Sequence, residues 1–540
     1  MASQALEAER HPPAGYVRSR APAALQPRRL TRPGAQSPLR RAAALRSALR
    51  REGKPALLRT RSHPASAHSL LILSDVHLGS DLNDFGEPIR RSRSIDDDLV
   101  KLITHYRAVG PPIGRWHLVV AGDFIDFVGM TVRAEAAELT TERSNEERKH
   151  GLGNAVDHVR VKLRLVVDRH REVFDALAGF VADGHALAFI HGNHDLEFYW
   201  DAVKDDLRSL LLARAWAART DGLDRRAFHR RIAFHPWFFH VAGLAYIEHG
   251  HQYDAFCASE HVMAPLSADR RRITRSVSDV LLRFVVRPTR GMHEYGHEGH
   301  GVTHYLAFAV KLGGAGLWRL SMRYAGAVRE LFRLRLEQLS STLDARRGEH
   351  AHEMAALARA TPGGVERMSA LAALQVPPVI RTIRGILASV LLDRLALGFV
   401  ALLMLLATTF LTLVHVVHAA WAAPCVAMAW ALGHRRLAGQ RTVDPGQRMI
   451  ESAAHVAKLF PVAFVVMGHT HTPVKMGIND GEATYINAGS WAEEEGDAGE
   501  SADTTYRASR THLVIHSGDE GPVAEFLVWD RDRPRRFGQV

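Results

Sequence analysis

Apolar, β-prone runs that end in polar clusters recur along the chain: SLLILSD (69–75), HLVVAGD (117–123), HALAFIHGNHD (185–195), GLAYIEHGH (243–251) and VAFVVMGHTH (462–471). Between them the apolar spacing lengthens to that of helices, as over 155–183 and 202–219. Alternation of strand and helix predicts an α/β layered fold around a largely buried sheet. After about residue 480 come ATYINAGSW (483–491), THLVIH (511–516) and VAEFLVWD (523–530), with turn residues between them. These predict antiparallel strands that complete a second sheet.

Residues 259–440 interrupt the alternation. An Arg-rich helical stretch is broken at Pro288, Gly313, Gly363 and Pro377, and then Leu395–Val414 runs for twenty residues without a charge. That meets the length of a membrane span. A second, weaker uncharged run, Val416–Gly433, follows His415 and is broken by Pro424. Together they predict a hydrophobic hairpin over 395–433. A buried helix pair in a soluble cap is the competing reading.

Charge narrows the picture. The 540 residues carry a formal +11, which invites a nucleic-acid partner. Residues 1–67 hold thirteen Arg and Lys54 against only Glu7, Glu9 and Glu52, which accounts for the whole excess. They read as a disordered basic tail. The remainder is neutral, so it is not a basic nucleic-acid-binding body. The chain thus divides into the tail (1–67), a core in two parts (68–258 and 441–540) and the helical insert (259–440). The runs RRRITR (270–275) and RVKLRLVVDRHR (160–171) read as solvated helix faces, and His293, His297 and His300 as members of a polar loop. Cys257 and Cys425 stand alone, which excludes a disulfide framework and a thiolate zinc site. A metal here must be held by His, Asp, Asn or Glu.

Such residues gather in five clusters, each at the C-terminal end of a predicted strand: D75-V-H77, G122-D-F-I-D126, G192-N-H-D195, H249-G-H251 and G468-H-T-H471. An open α/β sheet places its site at those ends. Each cluster alone is weak; five in this order are not. In GHTH, His469 and His471 lie two apart, so an extended backbone would turn both to one face. Gly192 and Gly468 permit a tight backbone.

The order DxH, GDxxD, GNHD, His-Gly and GHTH resembles the calcineurin-like metallophosphoesterase superfamily, over roughly 69–255 and 441–530. SDVHLG, GDFIDF and GNHDLEF look most like its UDP-2,3-diacylglucosamine hydrolase branch. The resemblance implies a four-layer α/β/β/α sandwich carrying the long insert, with two divalent metal ions at its centre. Asp75, His77, Asp123 and His471 would hold the first, and Asp123 would bridge to a second held by Asn193, His249 and His469. An oxygen and nitrogen donor set suits Mn, Fe, Zn or Co. His194 would contact the phosphate and protonate the leaving oxygen, and Asp195 would orient it. Asp126 would anchor Asn193 or its loop from behind the ligands, and His251 is a further candidate in that outer layer.

The expected activity is hydrolysis of a phosphate ester or pyrophosphate bond of a membrane-associated substrate. The alternatives are a phosphodiesterase or phosphatase of soluble nucleotides or small phosphoesters, and an inactive membrane-tethered scaffold. Because the ligands flank the insert, an even number of crossings is required. Arg381, Arg384 and Arg394 before the hairpin and Arg435, Arg436 and Arg441 after it then place the catalytic domain on the cytoplasmic side.

Overall fold

Strand β1 (His68–Leu73) is six residues of HSLLIL, apolar on both faces, as a strand covered on both sides must be. It lies at the middle of a mixed seven-stranded sheet. On one side it pairs in parallel with β2 (Arg115–Val120), which pairs with β3 (Ala186–Ile190), which pairs with β4 (Ile232–His235). On the other side it pairs antiparallel with β10 (Thr511–Gly518), followed by β11 (Gly521–Asp530) and β12 (Arg533–Arg536). A mixed five-stranded sheet runs in the order β5 (Phe238–Val241), β6 (Gly243–Glu248), β7 (Val462–Met467), β9 (Ala483–Asn487), β8 (Val474–Ile478). The fold class is therefore α/β.

These observations come from a computed structural model of the full chain. It describes residues 68–84, 93–135, 138–218, 222–289, 302–339, 342–389, 392–414, 419–438, 444–492 and 509–538. The chain divides into two units after Leu58, and all described residues belong to the second, Arg59–Val540. The basic tail and His293, His297 and His300 lie outside the described residues.

Three apolar clusters order the layers. One joins Leu70, Ile72, Val119 and Ile190 of the first sheet to Ala245, Ile247, Val466 and Ile486 of the second. The opposite face of the first sheet packs with helices Arg93–Val109, Val156–Arg169, Arg171–Ala182 and Asp201–Ala218. That of the second packs with helices Gly364–Ala372 and Pro445–Leu459.

Several expectations change. Only Ala483–Asn487 of the three C-terminal runs joins the second sheet, and it runs parallel to β7. The other two extend the first sheet, because β1 offers β10 an open backbone edge along its length. The 155–183 pattern is two helices, broken at His170, whose ring is tied to Asp96 at 2.5 Å and whose φ/ψ is −108°/43°. The 160–171 run is not uniformly solvated: Lys162 is buried and donates to Phe127 O at 2.7 Å. In 270–275, Arg272 and Arg275 instead bind Glu147 and Glu146.

The insert is helical, with helices Val302–Glu337, Thr342–Ala360, Leu392–Leu413 and Ala419–Ala438 among its elements. The last two pack along each other, with Gly433 against Leu397 and Gly398 facing Trp430. Pro424 lies within its helix instead of breaking it. Phe399, Leu413 and Trp421 are 61%, 73% and 78% exposed. Among the described residues, no helix is long and apolar enough to cross a membrane.

Candidate metal centre

The five clusters follow the C-terminal ends of β1, β2, β3, β6 and β7, interior strands of the two sheets, and hydrogen bonds tie their loops together. Val76 N and His77 N both donate to Asp123 O at 2.9 Å, locking the loop after β1 to the loop after β2. Gly468 N donates to His249 O at 3.0 Å and joins the loops after β7 and β6. Trp491 N and Ser490 Oγ hold Asp75 O from the far side, at 2.9 and 3.1 Å.

Five of the residues expected as ligands have left-handed backbones: Asp75, His77, Asp123, His469 and His471, with φ between 50° and 69°. Side-chain-bearing residues occupy that region at a cost of order 1–3 kcal/mol each, and such strain gathers at functional sites. The backbone bonds above hold it in place. The extended GHTH backbone expected from the sequence is thus not what forms. Gly192 and Gly468 are required for a different reason than turn flexibility. A Cβ on Gly192 would lie 2.0 Å from Asp123 Oδ1, and one on Gly468 would lie 1.9 Å from Ser74 Oγ.

Around Asp75, His471 Nε2 lies 3.0 Å and His77 Nε2 4.0 Å from Oδ1, and His77 Nε2 is 3.6 Å from Asp123 Oδ2. His249 Nε2 approaches the same Asp123 oxygen, 3.2 Å from Oδ2, and is 3.1 Å from Asn193 Oδ1. Donors bound about 2.0–2.2 Å from one ion sit about 3–3.5 Å from each other, so the His471–Asp75, His249–Asp123 and His249–Asn193 spacings fit cation coordination, while His77 stands slightly wider. Asp75, His77 and His471 form one group able to hold a metal ion, and Asp75, Asp123 and His249 form another. The structure therefore brings buried His and Asp groups into position for a metal.

The donor chemistry makes the same demand. His249 Nδ1 lies 2.9 Å from Ala121 O, a contact only an N–H can make favourable. Its Nε2 then faces two oxygen acceptors, and only a proton or a cation on that side reconciles the three. Burial opposes a proton there, yet Asp123 and Asp75 outweigh it and raise the imidazole pKa to about 9. Burial likewise disfavours the Asp75 carboxylate, but His471 and His249 hold its pKa at about 2. Asp123 is held well below its ordinary value against burial, by His249 and His194. His77 is buried beside His194, which lowers it to about 3 and leaves a neutral imidazole, the form that binds metals.

His469 is placed differently from His471. Its Nε2 meets Asp254 Oδ2 at 3.1 Å, and its ring centroid lies 5.3 Å from that of His249. Asp254 is thus a carboxylate partner that the sequence reading missed; D254 carries no motif signal of its own. A ligating His usually gives its second nitrogen to such a group. Asp254, Cys257 and His469 also form a possible metal-holding group, although burial keeps the Cys257 thiol protonated by raising its pKa well above the usual range.

The carboxylate that meets His194 is Asp126, at 2.7 Å from Nδ1, and not Asp195. Asp195 accepts from Gly192 N at 2.6 Å and Phe124 N at 2.8 Å, so it braces the GNHD turn against the loop after β2. Burial and the charge of Asp123 raise its pKa to about 7. Asp126 in turn accepts from Gly129 N at 2.7 Å and from Arg287 Nη2 at 2.9 Å. Arg287 belongs to the insert and also donates to Ser80 O at 3.2 Å. No local pattern announces it, because its partners lie 161 and 207 residues away. His251 is buried near His249 and His469; its Nε2 faces Gln252, and its Nδ1 has no partner among the described residues. Asn487 was also missed: it donates to Gly468 O and Thr470 Oγ1 and supports the GHTH turn.

Compared with known proteins, the chain matches no family model, and no curated protein matches it.

Proposed function

We propose that the chain is a dinuclear-metal-dependent phosphoesterase, resembling the calcineurin-like superfamily, with a four-layer α/β/β/α core. The observation that carries this reading is a chain of close contacts around two buried carboxylates: His77 and His249 meet Asp123, His471 meets Asp75, Asn193 meets His249, and Asp75, Asp123 and His249 lie together as one group able to hold a metal ion. His469 would complete the second site through the ring nitrogen that Asp254 does not engage. Mn, Fe, Zn and Co all suit these donors. Two such ions, when bound, supply positive charge for the phosphoryl oxygens and lower the pKa of water.

The chain's own residues supply the rest. Asp126 fixes the His194 ring at Nδ1, so Nε2 is the atom presented to the phosphoryl or leaving-group oxygen, where it donates a proton. Arg287 neutralises Asp126, which keeps that carboxylate from drawing the proton away from His194. Gly192 leaves room for Asp123 beside the GNHD backbone, and His194 N donates to Asp123 Oδ1 at 2.8 Å. The reaction is hydrolysis of a phosphate ester or pyrophosphate bond.

The exposed apolar side chains of the hairpin favour a membrane-associated substrate, with the enzyme on the cytoplasmic face. This agrees with the likeness to UDP-2,3-diacylglucosamine hydrolases. A soluble phosphoester substrate and a catalytically inactive tethered scaffold are the competing readings. Turnover of bis-p-nitrophenyl phosphate with Mn²⁺ decides between enzyme and scaffold. The wild type should turn over, chelation should abolish turnover, and Asp123→Ala should lower it at least a thousandfold. No metal-dependent turnover defeats the proposal. Flotation with anionic liposomes, lost when 395–433 is deleted, tests the membrane reading; flotation that survives the deletion refutes it.

A further inference from the structure

Beyond the metal centre the described residues enclose a cavity of about 200 Å³. Its walls are the loop 257–266, the turn 274–276, the end of helix Val302–Glu337 with the turn after it, the start of helix Thr342–Ala360, and residues 378–381. It is smaller than the roughly 300–1,000 Å³ of pockets for drug-sized ligands, so it suits a small group.

The lining is strongly cationic. Arg275, Arg335, Arg346, Arg347 and Arg381 line it, with Glu260 as the one lining carboxylate among the described residues. Arg275 is balanced by Glu146 at 2.9 Å, and Arg381 lies 3.9 Å from Glu260. Arg346 is only 4% exposed. Its Nη1 donates to Leu266 O at 3.1 Å and its Nη2 to Glu337 O at 3.2 Å, which orients the guanidinium and leaves the Nε edge. Burial lowers its pKa from the ordinary value, and Glu337 offsets this only in part.

Four buried atoms on lining residues have no partner among the described residues: Ser259 Oγ, His261 Nε2, Arg335 Nε and Arg346 Nε. Each orphaned polar atom costs about 1–3 kcal/mol, more where charged. Their concentration on one cavity calls for a ligand that accepts several hydrogen bonds and carries negative charge. Guanidinium groups suit tetrahedral oxyanions through charge-assisted, paired hydrogen bonds.

We propose that this cavity binds a phosphate-type oxyanion, supplied either by a phosphate of the substrate remote from the bond that breaks or by free phosphate. The location allows both. Leu196 lines the cavity two residues after His194, and Cys257 lines it beside Asp254 and His469. Anion binding stands apart from the catalytic reading, since it is measured on protein stripped of metal; its assignment to the substrate rests on that reading.

The test is calorimetric titration of the full chain in detergent and chelator with inorganic phosphate, then with pyrophosphate. The expected result is saturable binding that Arg335→Gln and Arg346→Gln each weaken at least tenfold and that Asp123→Ala leaves intact. Absence of saturable binding overturns the proposal, as does binding that Asp123→Ala abolishes while Arg335→Gln retains it. Arg346 also ties two segments together, so Arg335→Gln is decisive if the Arg346 variant misfolds. The source is read from turnover of a substrate with two phosphates. A KM raised at least tenfold by Arg335→Gln assigns the oxyanion to the substrate. A response of the rate to added phosphate that this variant removes assigns it to a free anion.

Discussion

Arg287→Met tests the link between the insert and the catalytic His. Arg287 and Asp126 are both buried, 2.9 Å apart, and Arg287 Nη1 donates to Ser80 O as well. Methionine keeps much of the stem's volume and removes the charge. Asp126 then remains buried with its His194 and Gly129 contacts but without its cation. Breaking a buried pair by removing one partner costs about 3–5 kcal/mol. At about 2 °C per kcal/mol, suited to a large domain, Tm should fall by about 6–10 °C. The assay is thermal unfolding of the full chain with metal chelated in both proteins, so that metal binding does not mask the difference. Arg287→Lys should recover only part of the loss, because one ammonium cannot reproduce the two-pronged contact to Asp126 and Ser80. The sharper expectation concerns sign. Asp126→Asn combined with Arg287→Met should melt at least about 2 °C above Arg287→Met alone, since the stranded carboxylate is gone. An Arg287→Met protein within about 1 kcal/mol of wild type refutes the reasoning, and so does a double variant less stable than the single one.

Three further outcomes follow from the same geometry. Asp254→Leu should weaken binding of the metal at the second site about 10–100-fold by releasing His469 Nε2, read by chelator competition; unchanged affinity would show that Asp254 does not orient that ring. Gly192→Ala should lose metal binding while the fold persists by circular dichroism, because its Cβ would displace the Asp123 carboxylate; full metal occupancy would contradict the close approach. Glu146 has its pKa held at about 2, because Arg275 and Arg283 outweigh its burial. A lowered carboxyl pKa contributes stability that is complete above the unfolded value of 4.5 and fades as pH falls toward 2, here about 3 kcal/mol. Glu146→Gln should therefore flatten the stability profile between pH 4.5 and 2 as well as destabilise at pH 7, and an unchanged acid profile would count against the ion pairs.

The element types were legible where periodicity was strong. The five apolar runs are β1, β2, β3, β6 and β7, and the chemistry-bearing clusters follow them directly. The short β4 and β5 were not legible, since four residues leave no period to read. Nor did local spacing reveal that 511–516 and 523–530 would extend the first sheet, because strand partnership depends on which edges remain open after the chain has folded.

The sequence by itself determined the strand–helix alternation, the location of the charge excess in residues 1–67, and the residue types able to bind a cation. Those properties are local, carried by side-chain type and spacing. Only the tertiary structure decided which carboxylate serves which imidazole: Asp126 meets His194, Asp254 meets His469, and Asp195 braces a turn. Hydrogen bonds act over about 3 Å of space whatever the sequence separation, so partners such as Arg287 and Asp126 become visible only once the layers have packed.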